Sequence, residues 1–186
     1  MDIDSIQHRF DTFRSLMNSR IREILLVSSV YDAYIIEEEG TLEERIWQQY
    51  ADRGLSTVPR IRKVSSVERA LEVIHAETID LVLAIVHEET EFAFGLARQV
   101  KAIRSDLPVV VLATDPSSLT RLEGPERPEG VDRIFLWQND PTLLVAIIKY
   151  FEDLANADRD TRLGGVRMVL LVEDSIAHYS TFLPAI

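Results

Sequence analysis

Four short stretches of the chain are apolar without interruption: Ile24 to Val27, Leu81 to Val86, Val109 to Leu112 and Ile134 to Trp137. A strand with one wet face alternates, whereas a strand buried on both faces reads as a continuous apolar run. Arg60 to Val64 alternates basic and apolar residues, the pattern of an edge strand. Between these runs the apolar spacing changes to that of helices. Ser65-x-x-Glu68 reads as a capping box ahead of Val67, Ala70, Leu71 and Ile74. Ala93, Leu96, Ala97, Val100 and Ile103 form a second stripe. Asp140-Pro141 is an N-cap followed by proline at N1, opening a helix with Leu143, Leu144, Ile147, Ile148, Phe151 and Leu154 on one face. Strand and helix alternate from about residue 21 to 156. The economical solution is an α/β fold, a doubly wound five-stranded parallel sheet with right-handed crossovers.

Other segments are less regular. Glu37-Glu38-Glu39-Gly40 predicts a first helix that is broken or extended by an insertion. Asp115, Pro116, Gly124, Pro125, Pro128 and Gly130 favour loop over a full helix across 115–130. Ile6, Phe10, Phe13 and Met17 form a short heptad-like stripe in an N-terminal helix over 1–20. That stripe suits packing on its own domain or a dimer contact.

An internal repeat sits at an offset of 145 residues. Arg22-Glu23-Ile24-Leu25-Leu26-Val27-Ser28-Ser29 aligns with Arg167-Met168-Val169-Leu170-Leu171-Val172-Glu173-Asp174, and Tyr34 with Tyr179. The second copy, ending Leu-Val-Glu-Asp-Ser, resembles the start of a response-regulator receiver (CheY-like) domain. In that family an acidic pair follows the first strand, where two carboxylates can hold Mg²⁺ beside a phosphorylatable aspartate. The resemblance implies that Glu173 and Asp174 are metal ligands if a second receiver is complete. A helix N-cap is the plain structural alternative for the same pair.

Aligned on this family, the first copy keeps the hydrophobic frame and loses the chemistry. Ser28 and Ser29 stand at the acidic pair, Ile85 at the phosphoacceptor, Ala113 at the switch Ser/Thr and Trp137 at the lysine. The first domain therefore resembles a pseudo-receiver, with no catalytic residue and no cofactor. The implied order is an N-terminal helix over 1–20, a receiver-like domain over 21–156, a linker over 157–165, and over 166–186 the first strand and start of the first helix of a second receiver. The order also resembles the N-terminal region of bacterial phosphoenolpyruvate synthase-like or pyruvate phosphate dikinase-like signalling proteins, through Ile147-Ile148-Lys149-Tyr150 and Asp160-Thr161-Arg162-Leu163.

Composition narrows the remaining classes. With 20 Lys and Arg against 31 Asp and Glu, the net charge is -11, which disfavours nucleic acid and anionic lipid as partners. No run approaches the ~20 apolar residues that span a bilayer, no signal peptide is evident, and cysteine is absent, so a cytoplasmic protein is expected. His87-Glu88-Glu89-Thr90-Glu91 follows the third strand; it reads as a solvated loop, with a metal or phosphohistidine site as the alternative. His75 at a helix end complements the helix dipole. The leading expectation is a non-phosphorylatable module for protein contact or dimerisation in bacterial phosphorelay signalling, partnered by another protein or its own downstream domains, and homodimeric. The alternatives are a flavin- or nucleotide-sensing domain using Ser28, Ser29 and His87, or the regulatory N-terminus of an enzyme. Met168 to Val172 is expected to pack as a strand on a neighbouring copy or on the N-terminal helix.

Overall fold

The computed structural model describes residues 16–29, 42–55, 57–87, 90–122, 128–165 and 167–186. Five strands form one parallel sheet: β1 Glu23–Val27, β2 Arg60–Val64, β3 Leu81–Val86, β4 Val109–Ala113 and β5 Arg133–Leu136, in the order β2-β1-β3-β4-β5. The helices are α1 Leu42–Asp52, α2 Val67–Ala76, α3 Thr90–Ile103, α4 Pro116–Leu122, α5 Pro141–Gly164 and α6 Ile176–Phe182, with a final 3₁₀ turn at Leu183–Ala185.

The uninterrupted apolar runs are explained by two cores. Leu25, Val27, Val82, Ala84, Val86, Val109 and Val111 point to one side, under α2, α3 and α4. Ile24, Leu26, Leu81, Leu83, Ile85, Val110 and Leu112 point to the other, under α1 and α5. Successive strand residues face opposite ways, so a sheet covered on both faces needs apolar residues at every position. At the β2 edge, basic residues are tied to acids instead: Arg60 lies 3.6 Å from Glu23, Lys63 3.3 Å from Glu43, and Arg62 pairs with Glu77. Charged side chains of this kind blunt an exposed sheet edge.

Several expectations are corrected. The cap of α2 is Ser66, whose hydroxyl accepts from Arg69 N–H, rather than Ser65. A seven-residue helix, α4, occupies part of the stretch expected to be loop. Leu154 is exposed rather than on the core face of α5. The expected linker over 157–165 is helical through Gly164, and α5 ends at Gly165 with φ 59°, the left-handed C-terminal geometry glycine favours. The strand expected over Met168–Val172 does not form. That segment is irregular, and Met168, Val169, Leu170 and Val172 are 69% to 86% exposed. It finds no sheet within the chain because α6 lies over β5 and β2 is on the far edge. The insertion at Glu37–Gly40 and most of the N-terminal stripe fall outside the described residues; 16–20, which are described, are not helical.

Candidate functional site

In open α/β sheets ligands and chemistry gather at the carboxyl ends of the strands. Here that end is largely apolar. Trp137 follows β5, is 1% exposed, and shares one core with Ile85 at the end of β3. Its backbone N–H donates to Ala113 O at 2.8 Å and its indole N–H to Asp140 O at 2.9 Å. The second bond ties the ring to the capped start of α5, where Asp140 accepts from Thr142 N–H at 2.8 Å. Ala113 and Ser28 are buried; Ser29 is exposed. Ser28 N–H donates to Val64 O at 3.2 Å. One hydroxyl among Ile, Ala and Trp is not a ligand set for Mg²⁺, which needs several oxygen donors. Among the described residues no three His, Asp or Glu side chains gather to hold a metal.

The polar groups that remain at this end sit one step later in the loops. His87 Nδ1 lies 2.9 Å from Thr114 Oγ1 and 3.3 Å from Asp115 Oδ2. Asp115 accepts from Ser117 N–H at 2.8 Å and Ser118 N–H at 3.0 Å, and also from both serine hydroxyls. Those bonds hold its carboxyl well below the usual carboxylate range. Asp115 thus anchors the first turn of α4, and its acceptor capacity is committed there. Glu88 and Glu89 lie outside the described residues; Glu91 is exposed on α3. His75 Nδ1 meets Leu71 O within α2 at 2.8 Å.

In the tail, Glu173 and Asp174 precede α6. Ser175 is the cap, its hydroxyl accepting from His178 N–H, and Glu173 accepts from Ser175 N–H at 3.0 Å. Neither acid is itself the cap; both precede it, and Glu173 steadies the turn that leads into it. The helix it starts lies along β5. Leu136 N–H, which faces away from β4, donates to Ser180 Oγ at 2.9 Å, and Tyr179 packs on Phe135 with ring centroids 5.9 Å apart. One sheet edge is therefore closed by the chain's own tail.

Sequence reasoning missed a buried polar row on α5. Glu152, Asn156 and Asp160 are four residues apart, hence on one helix face, and all three are buried. They hold the chain entering β1. Asp160 Oδ2 accepts from Met17 N–H at 2.8 Å, Asn156 Oδ1 from Ser19 N–H at 2.9 Å, and Glu152 Oε1 from Ile21 N–H at 3.0 Å. Four residues of helix advance about 6 Å, and the alternate amides of Met17, Ser19 and Ile21 meet these successive turns. The signal was present as an acid-amide-acid row, but nothing in the sequence names backbone amides as its partners.

No family model matches the chain, and no curated protein matches it. Solved structures do. The response regulator TrrA of Thermotoga maritima, determined with Mg²⁺ and BeF, superposes with a TM-score of 0.52 at 15% identity, over 70% of this chain and 98% of that one. The receiver domain of an HD domain-containing protein from Pseudomonas fluorescens gives 0.53 at 16%, over 76% and 94%. A CheY-like receiver from Methanospirillum hungatei gives 0.53 at 14%, over 74% and 98%. The chain has the receiver fold of response regulators. At these identities the likeness is one of fold. At the carboxyl ends of its strands this chain holds Ser28, Ile85, Ala113 and Trp137. Among the described residues no helix is long and apolar enough to cross a membrane.

Proposed function

We propose that residues 21 to 156 form a pseudo-receiver, a non-enzymatic module that signals through protein contacts without being phosphorylated. The observation that carries this reading is that Ile85 and Trp137, both buried in one core, stand where a receiver needs an aspartate and a lysine. An isoleucine has no nucleophilic atom. A tryptophan filling the neighbouring space supplies no cation to offset charge on a transferring phosphoryl group. With no phosphoryl group and no metal to hold, the module acts by presenting surfaces, in a bacterial cytoplasmic phosphorelay or as the regulatory part of a longer protein.

The test is incubation of the whole chain with acetyl phosphate and Mg²⁺, followed by mass spectrometry of the intact protein and its peptides. No phosphoaspartate is expected between residues 21 and 156. A phosphoaspartate mapped there overturns the reading.

A further inference from the structure

Most of the large exposed apolar side chains of the described residues lie between Leu154 and Ile186 in the sequence. Leu154 and Leu163 are on the second half of α5, Met168, Val169, Leu170 and Val172 on the segment after it, and Phe182 and Ile186 at the end. A cleft of about 1520 Å³ is lined by α5 and by residues 167–174. An exposed patch of this kind marks an interaction surface. The residues of the segment say which partner fits.

From Arg167 to Asp174 the order is one cation, five apolar residues, then two carboxylates. Such a sequence is complementary to itself when reversed. Two antiparallel copies with Leu170 opposite Leu170 place Met168 against Val172, Val169 against Leu171, and Arg167 against Glu173 at both ends. Opposite charges and apolar groups directly across strands stabilise a pair, and like charges destabilise it. The same patch used by both copies is the isologous contact of a two-fold dimer. A parallel pairing would set arginine against arginine and Glu173 against Glu173. The segment is also free to adopt the paired form, since four of its five apolar side chains are exposed, Leu171 being half-buried, and it belongs to no strand of its own sheet.

We infer that residues 167–174 form an antiparallel two-stranded ribbon with a second copy of this chain, making the protein a two-fold dimer. A bare two-stranded ribbon is marginal in water, so one face of the ribbon must settle on apolar ground. Leu154, which lines the cleft, contributes to it. The inference deepens the proposed contact function by naming the surface and the partner. It fails separately: phosphorylation would overturn the pseudo-receiver and leave the dimer standing, and a monomer would do the reverse.

The experiment is sedimentation velocity on the whole chain from about 1 to about 200 µM, with circular dichroism of every variant. A dimer is expected in that range. Arg167→Glu sets Glu against Glu at both ends and weakens dimerisation by about tenfold or more. Adding Glu173→Arg to it restores opposite charges and recovers the affinity to within about threefold. Leu170→Lys places two ammonium groups on the axis and leaves a monomer. Arg167 and Leu170 are exposed in the single chain, so Arg167→Glu and Leu170→Lys keep its circular dichroism spectrum; Glu173 is part-buried and accepts from Ser175 N–H, so the double variant loses one bond at the start of α6 and no more. A chain monomeric throughout overturns the proposal. So does a dimer indifferent to Leu170→Lys, or one that the paired charge exchange fails to restore.

Discussion

Glu152 is the innermost tooth of the row that holds the chain entering β1, and its two oxygens have different tasks. Oε1 accepts from Ile21 N–H at 3.0 Å, and Oε2 accepts from Lys149 Nζ at 2.6 Å. The carboxylate is 3% exposed and Lys149 23%. Glu152→Ala leaves the Ile21 amide buried without an acceptor, which costs about 1–3 kcal/mol. The lysine can turn to water, so the lost pair adds no more than about 1 kcal/mol. The sum, about 1–4 kcal/mol, is a large fraction of the about 5–15 kcal/mol that holds a domain together. Glu152→Gln keeps the shape, but an amide has one oxygen for two donors and must present its NH₂ to either Ile21 N–H or Lys149. About 1–2 kcal/mol is expected. Urea unfolding measures both through the midpoint at constant slope, and native-state hydrogen exchange follows the Ile21 amide. The reasoning is refuted if Glu152→Ala costs less than about 1 kcal/mol, or if Ile21 exchange is no faster in it than in the parent.

Further outcomes follow from other sites. Asn156→Asp conserves shape but turns an oxygen toward Ser19 O and Glu152 O, both of which receive its NH₂ at 2.7 Å; a loss of about 2 kcal/mol is expected in the same urea assay. Trp137→Ala should cost about 3–5 kcal/mol, and Ile85→Asp a comparable amount by burying an unpaired carboxylate, with no gain of phosphorylation by acetyl phosphate. Gly130→Ala should destabilise, because φ is 83° and the new methyl carbon would stand 2.8 Å from the Ala97 carbonyl carbon. Burial and the nearby Glu152 charge push the Tyr50 hydroxyl well above the ordinary tyrosine range. The unfolded chain ionises there near pH 10 while the folded chain keeps its proton. Stability from this group is thus complete below that pH and lost as pH rises through it. Among the described residues the Tyr50 hydroxyl has no hydrogen-bond partner, so Tyr50→Phe should cost little at pH 7 and reduce the alkaline loss in a pH series of urea midpoints.

The strands and their two-sided burial were legible because the physics is local: continuous apolar runs such as Leu81–Val86 have one economical home. The α5 cap at Asp140 and the edge character of Arg60–Val64 were legible for the same reason. Met168–Val172 has the composition of a buried strand and is not one here, because a strand is a relation to a neighbour that composition cannot supply. The helix through 157–164 was missed because polar residues there looked like a linker, yet Asn156 and Asp160 are inward polar teeth, which apolar periodicity does not count. The closure of β5 by Ser180 was out of reach as well. It depends on a hydroxyl and an amide 44 residues apart.

The apolar carboxyl end and the polar row on α5 bear on one question, where this fold places its buried charge. Carboxylates gathered at strand ends are costly to bring together unless a metal offsets them. With Ile85, Ala113 and Trp137 there, that cost disappears and burial is gained. The buried charges lie instead at Glu152 and Asp160, where each has a backbone amide to accept from, and Glu152 also has a lysine. The acidic groups at the two places obey the same rule with opposite results. An acid that waits for a ligand destabilises the empty protein, and an acid that holds the protein's own chain stabilises it. By that rule an apolar carboxyl end and a row of acids bonded to the protein's own backbone both favour a firm scaffold, as the proposed contact function requires.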